Sequence, residues 1–178
     1  MKHSIVIQQY ETELGTLLLG AFENQLCLCD WKFRKLRDAV DARLQKSLDA
    51  TYQEGSAAVI EQTKAELTEY FTGIRTTFTI PLLAAGTAFQ KQVWDQLLQI
   101  PFGKTATYLS LAQKINNTPA IRAVAAANGA NTISIIIPCH RVIGSNGELI
   151  GYAGGLKAKE KLLQLEGVNS KQQLRMDF

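Results

Sequence analysis

Ile135-Ile136-Ile137-Pro138-Cys139-His140-Arg141-Val142-Ile143 is the segment from which the organisation of this chain can be worked out. Three β-branched residues in a row predict a buried strand, and Pro138, which has no N–H to donate, ends its hydrogen-bonding run so that the chain turns at Cys139. A thiol, an imidazole and a guanidinium then meet at a strand end, where a rigid element holds the backbone and the tip stays reachable. These nine residues fit equally well a nucleophile with its base and a buried structural cysteine beside a satisfied histidine, because free cysteine is among the most buried residue types.

Downstream, Gly144-Ser145-Asn146-Gly147 forms a turn between Val142-Ile143 and Leu149-Ile150, which predicts a small hairpin. Gly151-Tyr152-Ala153-Gly154-Gly155 is a glycine-rich loop in which backbone can approach a ligand closely, but it lacks the Gly-Lys-Ser/Thr ending of a phosphate loop. A last helix is expected from Leu156 to Glu166, ended by Gly167. Glu166 in its final turn opposes the helix dipole, so another partner must hold that carboxylate.

Upstream, Thr87 N-caps a helix through Gln99 whose apolar side is Phe89, Val93, Trp94, Leu97 and Leu98, and Ile100-Pro101-Phe102-Gly103 stops it. Tyr108 to Ile115 is a short second helix, and Asn116-Asn117 makes the turn. Thr118-Pro119 then opens a third helix through Asn128, ended by Gly129. Two short helices across a tight polar turn are a helix-turn-helix candidate. The third helix carries Arg122 and alanines, whereas a helix that reads major-groove bases needs several polar side chains at exposed positions. It therefore fits DNA binding by close approach and phosphate contact, with Arg122 free to insert, or an internal helix packed through its alanines.

The N-terminal half carries no comparable chemistry. His3 to Gln9, Gly15 to Phe22 and Leu26 to Trp31 read as an antiparallel meander, Phe33 to Leu48 and Ala57 to Phe71 as helices, and Arg75 to Ile80 as a further strand. Cys27 and Cys29 would share a strand face with His3 nearby, but no fourth ligand joins them and core packing explains them. Pro81 to Gly86 reads as the linker to the C-terminal half.

The chain has 178 residues, 46% hydrophobic and 20% charged. That is the composition of one or two small globular domains. Three cysteines and no secretory pattern at the start imply a reducing, cytoplasmic setting. There is also no apolar run approaching the length of a membrane span. Charge is uneven: Met1 to Thr87 holds nine Lys/Arg against eleven Asp/Glu, or −2, and Ala88 to Phe178 holds ten against five, or +5. The basic excess suits a polyanion at the half that holds the Cys-His stretch.

Cys139, His140 and Glu166 together supply a nucleophile, a base and an orienting carboxylate. A free thiol has a pKa near 8.5, and neighbouring positive groups can lower it to roughly 3.5 to 7.5. Adjacent residues on an extended turn point apart, so His140 would reach Cys139 through a water.

Pro138-Cys139-His140-Arg141-Val142, preceded by Asn131 and followed by Gly151-Tyr152-Ala153-Gly154-Gly155 and Glu166, closely resembles the signature of the 6-O-alkylguanine-DNA alkyltransferases. The resemblance runs from about Thr87 to Gly167. It implies an α+β fold: a small N-terminal ribonuclease-H-like antiparallel sheet and helix domain over residues 1–80, a linker at 81–87, a winged-helix-like helix-turn-helix domain at 88–168, and a tail at 169–178. The implied activity is direct-reversal DNA repair, in which Cys139 takes an alkyl group from oxygen 6 of guanine, or oxygen 4 of thymine, and keeps it. No cofactor or metal is implied; Phe22 stands where one ligand of the zinc held by some members would fall.

Residue by residue, the resemblance makes His140 the proton acceptor through a water, Glu166 its orienting partner, and Asn131 the brace of the turn before the active-site stretch. Tyr108 would press on the backbone phosphate and help neutralise the departing guanine. Arg122 would fill the gap left by the flipped base, with Ala123, Ala126, Ala127 and Asn128 completing a sequence-nonspecific minor-groove contact. Val142, Tyr152, Ala153, Gly154 and Ser134 would line the alkylguanine pocket, the small Ser134 and Gly154 leaving room for groups larger than methyl. The protein would act as a monomer on double-stranded DNA, away from membranes. Thr132, where many relatives have proline, and the Asn116-Asn117-Thr118 turn, which lacks the usual glycine, depart from the pattern. The competing assignments are an alkyltransferase-like lesion binder, which would lack Cys139, a winged-helix regulator, which would need base-reading side chains, and a cysteine hydrolase, which would need an oxyanion hole and turnover.

Overall fold

The structure is a computed structural model that describes residues 3–169, so all but the first residue of the tail expected at 169–178 lies outside the described residues. Two compact units divide between Gly86 and Thr87.

In the first unit, β1 (His3–Thr12), β2 (Gly15–Phe22) and β3 (Gln25–Trp31) form the expected antiparallel meander. Glu23 and Asn24, both at positive φ, make the tight turn between β2 and β3. The sheet is nevertheless mixed. After α1 (Arg37–Ser47), β4 (Ala50–Glu54) pairs parallel with the outer edge of β1, giving the order β3-β2-β1-β4. Ala50-Thr51-Tyr52-Gln53-Glu54 is short and mostly polar because only Ala50 is buried, so it gives no strand-like apolar alternation. Helix α1 starts at Arg37 rather than Phe33: Leu36 is left-handed and 78% exposed, while Val40 and Leu44 carry the buried stripe.

Helix α2 (Ala58–Phe71) buries Val59, Ile60, Leu67 and Tyr70. The segment after it, Arg75 to Ile80, is irregular instead of the expected strand. Its polar groups are met by helix carboxylates, the Thr79 amide donating to Glu66 at 2.8 Å and Arg75 Nε to Glu69 at 2.7 Å. The expected linker also begins inside the unit: Leu26 N–H donates to Pro81 O at 2.8 Å and Leu83 N–H to Leu26 O at 2.9 Å, a single parallel bridge on the free edge of β3. Cys27 and Cys29 are wholly buried in β3, and burial pushes the Cys27 thiol up to about 12 and Cys29 up as well.

The second unit opens with α3 (Ala88–Leu98), whose Thr87 and Gln90 form a complete capping box. A second capping box, Thr107 with Ser110, starts α4 (Tyr108–Lys114) directly after the two-residue strand β5 (Ala106–Thr107). Asn116 turns the chain in the left-handed region, a conformation that asparagine tolerates better than most residues. Thr118-Pro119-Ala120 is a turn of 3-10 helix and not the first turn of the third helix, so Thr118 does not cap α5 (Ile121–Gly129). Trp94 of α3 ties the end of α5 down by donating Nε1–H to Ala127 O at 2.8 Å. Val142–Ile143, β6, pairs parallel with β5 rather than in a hairpin with Leu149-Ile150; Gly144 N–H to Glu148 O, 2.9 Å, closes the loop between them. Helix α6 (Leu156–Leu165) ends at Glu166, and Gly167 follows at positive φ, the usual glycine stop.

Candidate active site

Ile135-Ile136-Ile137 is not a strand. Residues 133–137 fold into a buried turn in which Ile136 N–H donates to Ser134 O at 2.9 Å and Ile137 N–H to Ile133 O at 3.0 Å. The apolar run reports complete burial, which a strand and a buried turn share. Ile135 adopts a positive φ of 73°. For a β-branched residue this is strained, and such a conformation persists only where the surroundings over-determine it.

Asn131 is what holds it. Its side-chain Oδ1 accepts from Ile133 N–H at 2.9 Å, and its Nδ2 donates to Ile137 O at 2.9 Å and Ile133 O at 3.4 Å. Asn131→Ala leaves buried backbone groups unpaired, each worth about 1–3 kcal/mol. Denaturant melts of the variant should show a loss of about 2–3 kcal/mol, together with slower Cys139 modification.

Pro138 ends this turn, and Cys139-His140-Arg141 form one turn of 3-10 helix that leads into β6. Cys139 is only 4% exposed, and His140, Arg141 and Glu166 are buried with it. Glu166 at the end of α6 is the centre of the network. Its Oε1 lies 2.7 Å from His140 Nε2 and accepts from Arg141 NH2 at 3.0 Å; its Oε2 accepts from Arg141 Nε at 2.8 Å and from the Gly103 amide at 3.3 Å. Arg141 reaches on to Ile100 O at 2.6 Å. A planar guanidinium matched to a carboxylate through two parallel bonds is the strongest side-chain pair available, and it explains how an acidic group is tolerated at a helix C-terminus. Gly103, at positive φ, allows the close approach: a Cβ there would stand 2.9 Å from Glu166 O.

Charge follows from burial and pairing. Burial alone would raise the Glu166 carboxyl, but the bonds and charges of His140 and Arg141 outweigh it and bring it down to about 2. Burial holds His140 below its ordinary 6.5; the Glu166 contact opposes this, while the Arg141 and Lys159 charges reinforce it. His140 is therefore neutral at neutral pH, its Nε2–H donating to Glu166. Its Nδ1 lone pair is buried and meets no hydrogen-bond partner among the described residues. A base with a free acceptor nitrogen, one residue from a thiol and oriented by a carboxylate, is the equipment of cysteine nucleophile chemistry.

Tyr108, at the start of α4, donates its hydroxyl to Ile150 O at 3.2 Å. Burial raises its pKa, the nearby Cys139 charge adds to this and a hydrogen bond from Asn128 opposes it, so the phenol keeps its proton. On α5, Arg122, Ala123 and Ala126 are exposed as a DNA contact requires, but Ala127 and Asn128 are 3% and 6% exposed. Ala127 supplies its carbonyl to Trp94 and Asn128 turns to Tyr108, so the expected contact face loses both. Of the expected pocket residues, Tyr152, Ala153 and Gly154 are half-buried on one loop, Val142 is buried in β6, and Ser134 is wholly buried inside the turn that Asn131 braces. The Tyr152 ring lies edge-on to His140, with centroids 6.3 Å apart.

Two further residues of the site, Arg141 and Lys159, have no role in the expectations from the sequence. Lys159 is 0% exposed and donates Nζ–H to Val142 O at 2.6 Å, Ile150 O at 2.9 Å and Gly151 O at 3.2 Å. The signal was present: Lys159 stands three and four residues before Leu162 and Leu163, on the apolar stripe of α6.

A helix-turn-helix unit that carries a buried cysteine, a carboxylate-oriented histidine and a protonated tyrosine defines a DNA-directed cysteine nucleophile. Residues 88–168 match the family model described as 6-O-methylguanine DNA methyltransferase, DNA binding domain, and residues 5–84 match its ribonuclease-like domain. A methylated-DNA–protein-cysteine methyltransferase of Methanosarcina acetivorans is 42% identical over 159 residues, covering 89% of this chain and 96% of that one. One from Shigella flexneri is 43% identical over 150 residues, with 79% and 87% covered. The crystal structure of Mycobacterium tuberculosis O6-methylguanine methyltransferase superposes with a TM-score of 0.77 at 35% identity, covering 91% of this chain and 92% of that one. The same protein in complex with DNA gives 0.77 at 36% identity, with 90% and 91% covered. The chain belongs to the 6-O-methylguanine DNA methyltransferase family. Among the described residues no helix is long and apolar enough to cross a membrane.

Proposed function

We infer that this chain is a DNA repair protein that transfers a methyl or larger alkyl group from oxygen 6 of guanine in DNA to the sulfur of Cys139. The observation that carries this is the His140-Glu166-Arg141 network, buried next in the chain to Cys139 within the unit that matches the family's DNA-binding domain. The thiol proton passes to His140 Nδ1 through a water, and the thiolate attacks the alkyl carbon. The carbon–oxygen bond breaks, its electron pair goes to the guanine, and Tyr108 helps to neutralise the leaving base at nitrogen 3. The product thioether resists hydrolysis, and among the described residues no group of the site regenerates the thiol. With methylated duplex in excess, repaired guanine should stop at one per chain; continued turnover would point to a hydrolase.

Oxygen 6 lies inside the duplex, so the base must leave the stack, at a cost of a few kcal/mol. Arg122 fills the gap, and the exposed methyls of Ala123 and Ala126 let α5 approach the minor groove without reading sequence. Arg122→Ala should slow repair in duplex DNA by tenfold or more, about 1.4 kcal/mol of lost stabilisation, while repair of single strands changes little. Equal losses on both would remove the stack-filling role. Val142, Tyr152, Ala153 and Gly154 form the pocket, where the Cys139 and Val142 carbonyls accept from the guanine amine and the Ala153 N–H faces oxygen 6. Its small residues admit groups larger than methyl, so free benzylated guanine should label Cys139; a protein that reacts with methylated DNA but not with this compound has a tighter pocket than proposed. The protein works as a monomer in the cytoplasm, and oxygen 4 of thymine is a second substrate position.

A further inference from the structure

The chemistry above gives the first unit no task, yet that unit carries a charged and apolar surface of fixed shape. Trp31-Lys32-Phe33-Arg34-Lys35-Leu36-Arg37 leads from the end of β3 into α1. Met1 to Thr87 is −2 overall, but residues 30–46 hold six Lys/Arg against three Asp, or +3. The positive charge of an otherwise acidic half is therefore gathered at this loop and the helix it opens, where it favours a polyanion.

The loop is pinned from the inside. Asp30 is wholly buried; its Oδ2 accepts from Arg34 at 2.8 Å and from Arg37 at 2.9 Å, and its Oδ1 accepts from the Trp31 N–H at 3.0 Å. Arg37 also donates to Asp41 at 2.7 Å, and the same carboxylate oxygen accepts from the Tyr52 hydroxyl at 2.7 Å. With Arg34 and Arg37 drawn inward, their neighbours are turned out: Phe33 is 82% exposed, Lys35 is exposed, and Leu36 is exposed at a left-handed φ of 60°. A left-handed leucine is strained, and such strain gathers at ligand clamps. Lys32 donates to Gln9 at 2.9 Å and stands over the Phe33 ring, its Nζ 5.3 Å from the ring centre. A protruding aromatic ring thus sits between two lysines on a braced loop.

We propose that this loop is a contact for single-stranded DNA: the Phe33 ring stacks on an unpaired base, and Lys32 and Lys35 hold the phosphates that flank it. This rests on the reading of the chain as a DNA repair protein. The charge selects a polyanion, and the ring selects its single-stranded form. In a duplex the base faces are stacked on one another and hidden from a protruding side chain. An unpaired base offers a face, and every base has one, so the contact is indifferent to sequence. Arg34 and Arg37, engaged by Asp30 and Asp41, hold the loop in shape before the strand arrives, which limits the freedom lost on binding. A minor groove exists only in paired DNA, so α5 and this loop answer to different states of the same polymer.

The test uses the full chain, a fluorescein-labelled oligothymidine single strand and a duplex of equal length. Phe33→Ala should weaken single-strand binding about tenfold, the loss of one stacked base, and leave duplex binding and the methylation of Cys139 by methylated duplex unchanged. Phe33→Trp should keep the single-strand affinity. Lys35→Ala should reduce the slope of log affinity against log salt by about 0.7, one phosphate contact on a single strand. A strand carrying bromodeoxyuridine should crosslink on irradiation to the peptide that contains Phe33. A Phe33→Ala protein that binds the single strand as tightly as the wild type, or that loses single strand and duplex equally, overturns the proposal. Loss of binding to phosphatidylglycerol vesicles in Phe33→Ala, with single-strand binding intact, overturns it in favour of a membrane contact. Failure of methylated duplex to label Cys139, with the Phe33 effect on single strands as expected, would remove the repair reading and leave the strand contact standing.

Discussion

Cys139→Ala abolishes alkyl transfer and leaves DNA binding close to that of the unaltered protein. The substitution removes one buried sulfur from a 3-10 turn whose position is set by other groups: the Asn131 bonds to Ile133 and Ile137, the Arg141 clamp on Glu166, and the β5–β6 pairing. It changes nothing on the exposed side of α5. No other thiol can take over, because Cys27 and Cys29 are wholly buried in the first unit, where burial holds both protonated. Gel-shift titration with methylated duplex and an assay of methyl left in the DNA measure the two properties separately. Residual transfer by the alanine variant would place the nucleophile elsewhere.

Glu166→Ala is expected to destabilise the protein by about 3–5 kcal/mol, the range found when one partner is removed from a buried ion pair and the other charge stays behind. Arg141 would keep only Ile100 O among the contacts described above, and His140 would lose the bond that sets its tautomer. Thermal or urea unfolding measures the stability, and a loss under about 1 kcal/mol would mean that the network contributes little.

The same group sets an acid limit. Glu166 is held at about 2, below the ordinary 4.5, so the unfolded chain takes up protons more readily; the stability present above about 4.5 is lost as pH falls toward 2. His140, held below 6.5, acts in the same direction from a higher pH: burial favours its neutral form, so stability starts to fall once pH drops below 6.5. Unfolding free energy measured from pH 8 to 3 should decline below about 6.5 and more steeply below about 4.5, and Glu166→Gln should lack most of the second decline.

Local signals in the sequence carried much of this fold. Thr87 and Gln90, the Asn116 turn and Gly167 each state a helix boundary in chemistry that depends on near neighbours, and α3, α4 and α6 lie where those signals put them. The site's line-up was also legible, because Asn131, Cys139, His140 and Glu166 stand at spacings that the family resemblance makes specific. What failed depends on distant partners. A five-residue polar strand such as β4 exists because β1 offers a free edge, and nothing inside Ala50-Thr51-Tyr52-Gln53-Glu54 announces that. Ile135-Ile136-Ile137 reads as a strand because periodicity measures burial, and only the Asn131 side chain, several residues away, dictates a turn with a positive φ. Ala127 and Asn128 were placed on the wrong side of α5, because an alanine-rich helix shows no apolar stripe with which to orient it. Arg141 and Lys159 are of types that are ordinarily solvated; the burial of Arg141 has no local signature, and that of Lys159 shows only in its place on the apolar stripe of α6.

Intact mass measured after the protein is mixed with an excess of duplex carrying 6-O-methylguanine tests the central claim most directly. A gain of one methyl per chain, mapped to the Cys139 peptide and unchanged on further incubation, is the predicted result. No gain in mass while the lesion persists would make the chain a lesion binder, and methyl loss from DNA without a mass gain would make it a hydrolase; either outcome contradicts transfer to Cys139.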